Sequence, residues 1–314
     1  MKKLTSLIGM IAVSMLLVFL AACATENAAG AAEDGKIKVV TTIAQIGEPL
    51  SVLGGDRLDV ESLMGPSIDP HAYNATQSDM RTLEGAKLIF YNGLNLEANL
   101  IEIFENIGKS KPVFAIGEAI PDEYLLQDEA GAVDPHIWFD LDLWKQALDA
   151  AVEELKTYSP ENADFFEENK QAYFAELESV KEEANKLADI PQNKRYLVTA
   201  HDAFGYFGNM HDLEVIGLQG LSTEDEVGIS DINDTIAIIE EYGVPAIFVE
   251  SSVNPKSIQA VLEGAHSKGV KVSLGGELYS DAMGDPGTEE GTYIGMYRHN
   301  VNTIYKALQG DQKQ

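Results

Sequence analysis

One long helical pattern, set between two halves that alternate strands and helices, most constrains how this 314-residue chain can fold. Ser159-Pro160 predicts a helix start, because serine caps helix N-termini and proline is tolerated in the first turn. At 1.5 Å per residue, one unbroken helix over residues 160–188 would be about 43 Å long. It would then join two lobes as a stiff backbone, the alternative being a surface coiled coil. Its apolar residues recur at helical spacing: Phe166, Tyr173, Leu177, Val180, Ala184 and Leu187.

Short apolar strands alternate with helical segments on both sides of this pattern, which is typical of parallel sheets covered on both faces. The fold class predicted is α/β, with two doubly wound lobes joined by one long rigid helix and a site in the cleft between them. The predicted strands are 37–42, 58–63, 88–91, 113–116, 196–199, 215–218, 246–249 and 270–274. The predicted helices are 46–53, 76–87 (capped by Thr76 or Ser78), 144–155, 203–210, 231–242, 255–267 and 293–308. The predicted boundaries are 36–157 for the N-terminal lobe, 158–190 for the linking helix and 191–314 for the C-terminal lobe.

Residues 1–22 have the pattern of an export signal, since Lys2 and Lys3 precede an apolar run that is too short for a stable membrane span. The run ends in Leu20-Ala21-Ala22-Cys23, which resembles the lipobox of bacterial lipoproteins, where the signal is cut before a cysteine that is then acylated, for example with palmitate. A plain secretory signal with a chance cysteine is the alternative. Lipidation of Cys23, the only cysteine, leaves no thiol for a disulfide or a metal. Residues 23–35 are then a flexible tether to the outer face of a bacterial cell membrane.

The chain is strongly acidic. Its formal net charge of −29 becomes −31 when Lys2 and Lys3 leave with the signal. Nucleic-acid binding rests on lysine and arginine that neutralise phosphates, so this balance argues against a nucleic-acid partner. The acidity also favours solubility and by itself identifies no site.

Three of the six histidines follow predicted strands. His71 lies in Asp69-Pro70-His71, His136 in Asp134-Pro135-His136, and His201 directly after its strand. Ligands of doubly wound sheets collect where the strands end, so we expect these three residues and Asp281 at one rim, two from each lobe. Three imidazoles and a carboxylate suit a borderline divalent metal such as zinc. The sequence therefore predicts a site for one ion per chain, with a pH dependence near 6.5 to 5, where ordinary imidazoles take up protons.

The neighbouring polar residues leave alternatives open. Asp285 and Glu277 compete with Asp281 as the carboxylate of the site. Glu250, at the end of a strand, either orients a ligand histidine through its second ring nitrogen or is an ordinary hydrogen-bonded carboxylate. Trp138 is predicted to pack beneath the site. The remaining histidines are predicted to be surface or helix-capping residues: His211, His266 and His299.

Several motifs occur in a fixed order along the mature chain, and together they resemble those of the metal-binding lipoproteins, or solute-binding proteins, of bacterial zinc and manganese ABC importers. The resemblance covers essentially the whole mature chain. It rests on Pro70-His71-Ala72-Tyr73, Tyr91-Asn92-Gly93-Leu94-Asn95-Leu96-Glu97, Asp134-Pro135-His136-Ile137-Trp138, His201-Asp202-Ala203-Phe204-Gly205, Phe248-Val249-Glu250-Ser251-Ser252 and Leu278-Tyr279-Ser280-Asp281-Ala282. The stretch 291–300 is especially similar to the treponemal-type branch, which handles both metals.

This resemblance implies two lobes joined by one long helix, with the metal bound between them by His71, His136, His201 and Asp281. It also implies a monomer that captures metal outside the cytoplasm and delivers it to the membrane permease of an ABC importer. Manganese-dedicated members commonly have glutamate where this chain has His201, and three imidazoles favour zinc. Against that, residues 121–133 lack the histidines that zinc-dedicated members often carry there. Zinc is the predicted cargo and manganese the alternative.

An exported zinc-dependent hydrolase is the competing function. Its ligands would be His71, His136 and His201, and Asp281 or Glu250 would be the base for a metal-bound water. The chain contains no His-Glu-x-x-His pair and no serine-nucleophile motif, so a non-enzymatic carrier is preferred. A third reading, an adhesin, has no sequence feature in its support.

Overall fold

The computed structural model describes residues 35–309, and these form two four-stranded parallel sheets. The strand order is β2-β1-β3-β4 in the first sheet and β6-β5-β7-β8 in the second, so the two lobes repeat one topology. This architecture confirms the predicted α/β fold with two lobes. The strands are β1 (Ile37–Thr41), β2 (Leu58–Ser62), β3 (Leu88–Tyr91), β4 (Val113–Ala115), β5 (Tyr196–His201), β6 (Glu214–Gln219), β7 (Ala246–Glu250) and β8 (Ser273–Leu278).

The predicted signal (1–22), Cys23 and most of the tether (23–35) lie outside the described residues. Within residues 35–309, no helix is both long enough and apolar enough to cross a membrane.

Helices cover the sheets and the space between them. Thr76 begins one of them with a capping box, because its side chain accepts from the Asp79 amide while Asp79 accepts from the Thr76 amide. The helix Ile101–Gly108 was not predicted from the sequence. The α-helices are α1 (Ala44–Gly54), α2 (Gln77–Gly85), α3 (Ile101–Gly108), α4 (Leu141–Tyr158), α5 (Ala163–Ala184), α6 (Gly205–His211), α7 (Ile229–Tyr242), α8 (Lys256–Ser267) and α9 (Tyr293–Gln309).

The long linking helix is present, with tighter turns at both ends. A 3₁₀ turn at Pro160–Asn162 leads into α5, and a second 3₁₀ segment covers Asn185–Asp189. The buried face of α5 packs against α1 and α4 of the N-terminal lobe and against α9 of the C-terminal lobe. The helix is therefore a shared wall of both lobes, which excludes the surface coiled coil.

The last strand begins later than predicted. Val270 and Val272 suggested a strand over 270–274, but β8 covers Ser273–Leu278 and includes Gly275 and Gly276. A side chain at Gly275 would meet the Phe248 ring at 2.5 Å, and Gly276 has a φ of +137° beside a register irregularity in the pairing with β7. Glycines inside a strand mark a bulge or a close approach of this kind, so here they do not end the strand.

One hydrophobic core runs through both lobes. It joins Val39 and Leu50 of the N-terminal lobe to Phe204, Phe248 and Met296 of the C-terminal lobe. A second cluster belongs to the C-terminal lobe and contains Ile236, Ile247 and Val261. Because close-packed interiors resist deformation, a shared core argues against wide hinge motion between the lobes.

Candidate metal centre

The four predicted ligands come together in the cleft. His71 and His136 lie on loops of the N-terminal lobe, His201 is the last residue of β5, and Asp281 lies three residues after β8. His71 is 4% exposed, His136 and His201 0%, and Asp281 1%. One nitrogen or oxygen of each lies within 4.8 Å of the others, and they form the sole such group of histidine, cysteine or acidic residues within 35–309. Asp281 is the carboxylate of this group. The two alternatives from the sequence, Asp285 and Glu277, are both exposed.

The spacing of the donor atoms suits a single small cation. His71 Nε2 and His136 Nε2 are 3.3 Å apart, as are His201 Nε2 and Asp281 Oδ2, and His136 Nε2 lies 3.4 Å from Asp281 Oδ1. The ligand atoms of a tetrahedron with bonds of about 2.0–2.2 Å lie about 3.3–3.6 Å apart. Two of these buried atoms, His201 Nε2 and Asp281 Oδ1, have no hydrogen bond in the described part of the chain. Since buried polar atoms normally have partners, the arrangement fits a bound ion.

Carboxylates orient two of the three imidazoles. Asp134 Oδ1 lies 2.7 Å from His136 Nδ1 and accepts from the His136 amide at 2.9 Å. Glu250 Oε2 lies 2.5 Å from His201 Nδ1, and Glu250 Oε1 accepts from the His201 amide at 2.8 Å. A carboxylate on Nδ1 leaves Nε2 to face the centre and makes it a stronger donor. Of the two sequence-based interpretations of Glu250, the geometry favours the one in which it orients a histidine.

His71 is held differently, although its tripeptide matches that of His136. Asp69 Oδ1 accepts from the His71 amide at 2.9 Å, as Asp134 does for His136. The other oxygen of Asp69, however, accepts from Thr223 of the C-terminal lobe. Within residues 35–309 no carboxylate bonds His71 Nδ1. The ring of His71 is therefore the least restrained of the three.

The charges of the cluster depend on one another. Burial alone would lower the pKa of His136, but Asp134 and Asp281 raise it to about 9. Burial likewise opposes charge on His201, yet Glu250 and Asp281 raise its pKa well above the ordinary value. Burial lowers the pKa of His71 to about 3. Burial would also raise the pKa of Asp281, but His201 and His136 hold it well below the usual range. Without a metal, the carboxylates of the cluster thus favour positive charge on His136 and His201, where a bound divalent ion would also bring positive charge.

These pKa values move the expected pH dependence upward from that of ordinary histidines. Below about pH 9 an incoming ion must displace the proton on His136, so apparent affinity for a divalent metal should rise from pH 6 to pH 9. Each displaced proton should contribute about tenfold per pH unit. Competition against a chelator of known pH dependence checks this, together with calorimetry in buffers of different ionisation enthalpy. An affinity that stays flat between pH 6 and pH 9 would contradict it.

The segment Asp134–Phe139, which carries His136, is fixed by hydrogen bonds that the sequence pattern did not reveal. Three tyrosine hydroxyls from the C-terminal lobe donate to its backbone. Tyr206 donates to Asp134 O at 3.1 Å, Tyr293 to Trp138 O at 2.5 Å and Tyr297 to Phe139 O at 3.3 Å. The i,i+4 spacing of Tyr293 and Tyr297 on α9 is a sequence signal that could have indicated a common target for the two side chains.

Trp138 packs edge-on against the His136 ring at 5.2 Å between centroids, as predicted, and its Nε1 donates to Ser280 O at 3.2 Å. His266 is exposed on α8, in line with its prediction, and His299 is half-buried on α9 beside Glu277 O. His211 is the last residue of α6, as its predicted place on or beside a helix implies. That residue is half-buried, bonds the Tyr297 hydroxyl at 2.8 Å and stacks edge-on with Phe207, and burial lowers its pKa to about 4.

Comparison with known proteins agrees with this fold. Residues 39–307 match the family described as ZnuA, zinc-uptake complex component A, periplasmic. The manganese-binding lipoprotein MntA of Bacillus subtilis is 44% identical over 96% of this chain and 99% of its own length. The zinc-binding protein TroA of Treponema pallidum is 42% identical over 95% of this chain and 96% of its own. The solved structure of that periplasmic zinc-binding protein superimposes with a TM-score of 0.85 at 42% identity and covers 87% of this chain and 99% of that chain. The chain belongs to the ZnuA family of periplasmic metal-binding proteins.

Proposed function

We propose that this protein captures one divalent transition metal ion outside the cytoplasm and delivers it to the permease of an ABC importer. The observation that carries the proposal is the buried cluster of His71, His136, His201 and Asp281. Its donor atoms lie within 4.8 Å of one another, and three pairs of them are 3.3–3.4 Å apart, as in a coordination tetrahedron. The cluster is enclosed, as a carrier site needs to be, and its four residues come from both lobes. Relatives named for zinc and for manganese belong to the same family.

Zinc is the proposed cargo, with manganese as the alternative. Three imidazole nitrogens and one carboxylate oxygen form a set softer than the oxygen-rich sites that manganese prefers, and zinc stands above manganese in the general order of affinity. Because one relative is named as a manganese-binding lipoprotein, manganese stays the alternative cargo. Delivery in the cell also depends on which ion is available, so cargo and affinity need separate measurements.

The geometry gives the hydrolase alternative no support. A catalytic zinc keeps a position for water and a base beside it. Both candidate bases have other partners here, because Glu250 bonds His201 and Asp281 faces all three imidazoles. Family membership likewise points to a solute-binding function rather than to an enzyme.

The proposed location follows from the N-terminal sequence and from the relatives. Cys23 at the end of a signal-like segment would be acylated, which would tether the folded chain as a monomer to the outer face of the cell membrane. Relatives named as lipoproteins of metal ABC transporters support this arrangement. Replacing Cys23 by serine should release the protein from membranes, and fractionation of cells that express the variant measures this.

Metal analysis tests the function directly. Protein purified without added metal should carry close to one zinc or manganese per chain by inductively coupled plasma mass spectrometry, and one tight site should appear on titration of the stripped protein. Two tight sites, or none for either metal, would reject the proposal.

The shared core and the linking helix predict that binding changes the overall shape little. Small-angle scattering of the stripped and zinc-loaded protein should give radii of gyration that agree within error, because α5 packs on helices of both lobes. A clear compaction on adding zinc would mean that the lobes move as hinged bodies.

A further inference from the structure

We propose that metal enters and leaves on the His71 side of the site, and that the hydrogen bond from Thr223 to Asp69 is the latch that closes this route. The proposal rests on the metal-carrier function above and specifies which residue moves. It follows from the unequal way in which the four ligands are held.

Three of the four residues are tied into buried networks. The His136 segment receives three tyrosine hydrogen bonds from the opposite lobe. His201 lies within β5 and is bonded twice by Glu250. Asp281 follows Ser280, whose carbonyl oxygen accepts from Gln45 at 3.1 Å and from Trp138 at 3.2 Å. Moving any of these three ligands would break several buried hydrogen bonds at once, each costly to leave unpaired.

A cavity leads to the fourth proposed ligand, His71. It has a volume of about 140 Å³ and is lined by residues of both lobes, among them Leu94, Asp128, Ser222 and Asp225. His71 is the one ligand of the four on its wall, and it is also the most exposed of them. A water molecule occupies about 30 Å³ in the liquid, so the cavity has room for a partly hydrated ion. Its two aspartates give the entrance the charge that favours a cation.

Few hydrogen bonds close the His71 side of the site. Thr223 Oγ1, on the loop after β6, donates to Asp69 Oδ2 across the cleft. Asn99 Nδ2 donates to His71 O at 3.2 Å and approaches Glu224 Oε1 at 3.5 Å. Asp69 also accepts from the His71 amide, so it connects the Thr223 loop directly to the backbone of the ligand. Breaking the Thr223–Asp69 bond would therefore uncouple the loop from the backbone of His71. The Asn99 contacts and the bonds from Gln219 Nε2 to the loop carbonyl groups would be the restraints that remain on this side.

Thr223→Val removes the hydroxyl at nearly constant volume and tests the latch. Stopped-flow exchange of zinc with a fluorescent chelator should show both association and dissociation faster by about tenfold or more, since hydrogen bonds to charged groups are among the stronger ones. The dissociation constant should stay within about threefold, because the latch closes the loaded and the empty site alike. Thr223→Ser, which keeps the hydroxyl, should exchange zinc like the unmodified protein.

The matched control is Thr235→Val in α7 of the same lobe, whose hydroxyl donates to Asp231 O within its own helix at 2.8 Å. It should leave both rates unchanged. Unaltered rates in Thr223→Val would overturn the latch. A faster dissociation without a faster association would also overturn it, if Thr235→Val showed the same change.

Hydrogen exchange of the metal-free protein separates failure of the latch from failure of the proposed function. Amides of residues 69–73 and 221–225 should exchange faster in Thr223→Val than in Thr235→Val, while those of 134–139 stay equally protected in both. Unchanged exchange at 69–73 would reject the latch even if the protein binds zinc. Faster exchange at 69–73 in a protein that binds neither zinc nor manganese would support the latch as a closing contact and reject the carrier function.

Discussion

Replacing His136 by alanine should weaken zinc binding by more than about a hundredfold. The loss of residues that merely orient a metal ligand typically costs 10–100-fold, and His136 supplies a donor atom itself. The substitution also leaves Asp134 without its imidazole partner at 2.7 Å, in a fully buried position. Isothermal titration or chelator competition with the stripped protein measures the effect.

His266→Ala is the matched control for this experiment. It removes an exposed histidine of α8 whose Nε2 donates to Val272 O at 2.7 Å and which is not one of the four clustered residues. Zinc affinity should not change in this variant. If His136→Ala binds zinc as tightly as the control, His136 is not a ligand and the proposed site is wrong.

Replacing Glu250 by glutamine should weaken zinc binding by about 10–100-fold, even though Glu250 is not placed among the ligands. Glutamine keeps the shape but carries no charge, so it neither raises the basicity of His201 nor fixes its Nδ1 proton as firmly. The pKa of His201 in the metal-free protein should fall at the same time, because the Glu250 charge is what chiefly offsets its burial. Nuclear magnetic resonance of the imidazole protons measures that shift.

Glu277→Gln provides the matched control, since Glu277 is exposed on β8 and was one of the carboxylates that competed with Asp281 in the sequence. Its removal should change neither zinc affinity nor the titration of His201. Equal losses in the two variants would mean that Glu250 acts through the net charge of the protein rather than through its contact with His201.

Local patterns were enough to predict most of the fold. Seven of the eight strands were predicted within two residues of their observed ends because apolar runs between helices leave few alternatives. The eighth was misplaced because β-branched residues at 270 and 272 outweighed two glycines that belong to the strand. What allows those glycines is the Phe248 ring and the bulge, and neither is visible in the local sequence.

The meeting of His71, His136, His201 and Asp281 was predicted for a similar reason, since residues at strand ends share one rim in a parallel sheet. Their supporting contacts were not. Asp69 and Asp134 stand in the same tripeptide context, yet one bonds Thr223 across the cleft and the other orients a histidine ring. Such differences depend on which loop of the opposite lobe packs beside each aspartate. That contact is set by the tertiary structure, so a short sequence motif does not predict it. The tyrosine bonds to the His136 segment are of the same kind.

Anomalous diffraction at the zinc edge, from crystals of protein loaded with one equivalent of zinc, tests the central claim most directly. We predict one strong peak between the lobes, about 2.0–2.2 Å from Nε2 of His71, His136 and His201 and from a carboxylate oxygen of Asp281. A peak at any other place, or a peak in the cleft that one of these four residues does not contact, would contradict the account.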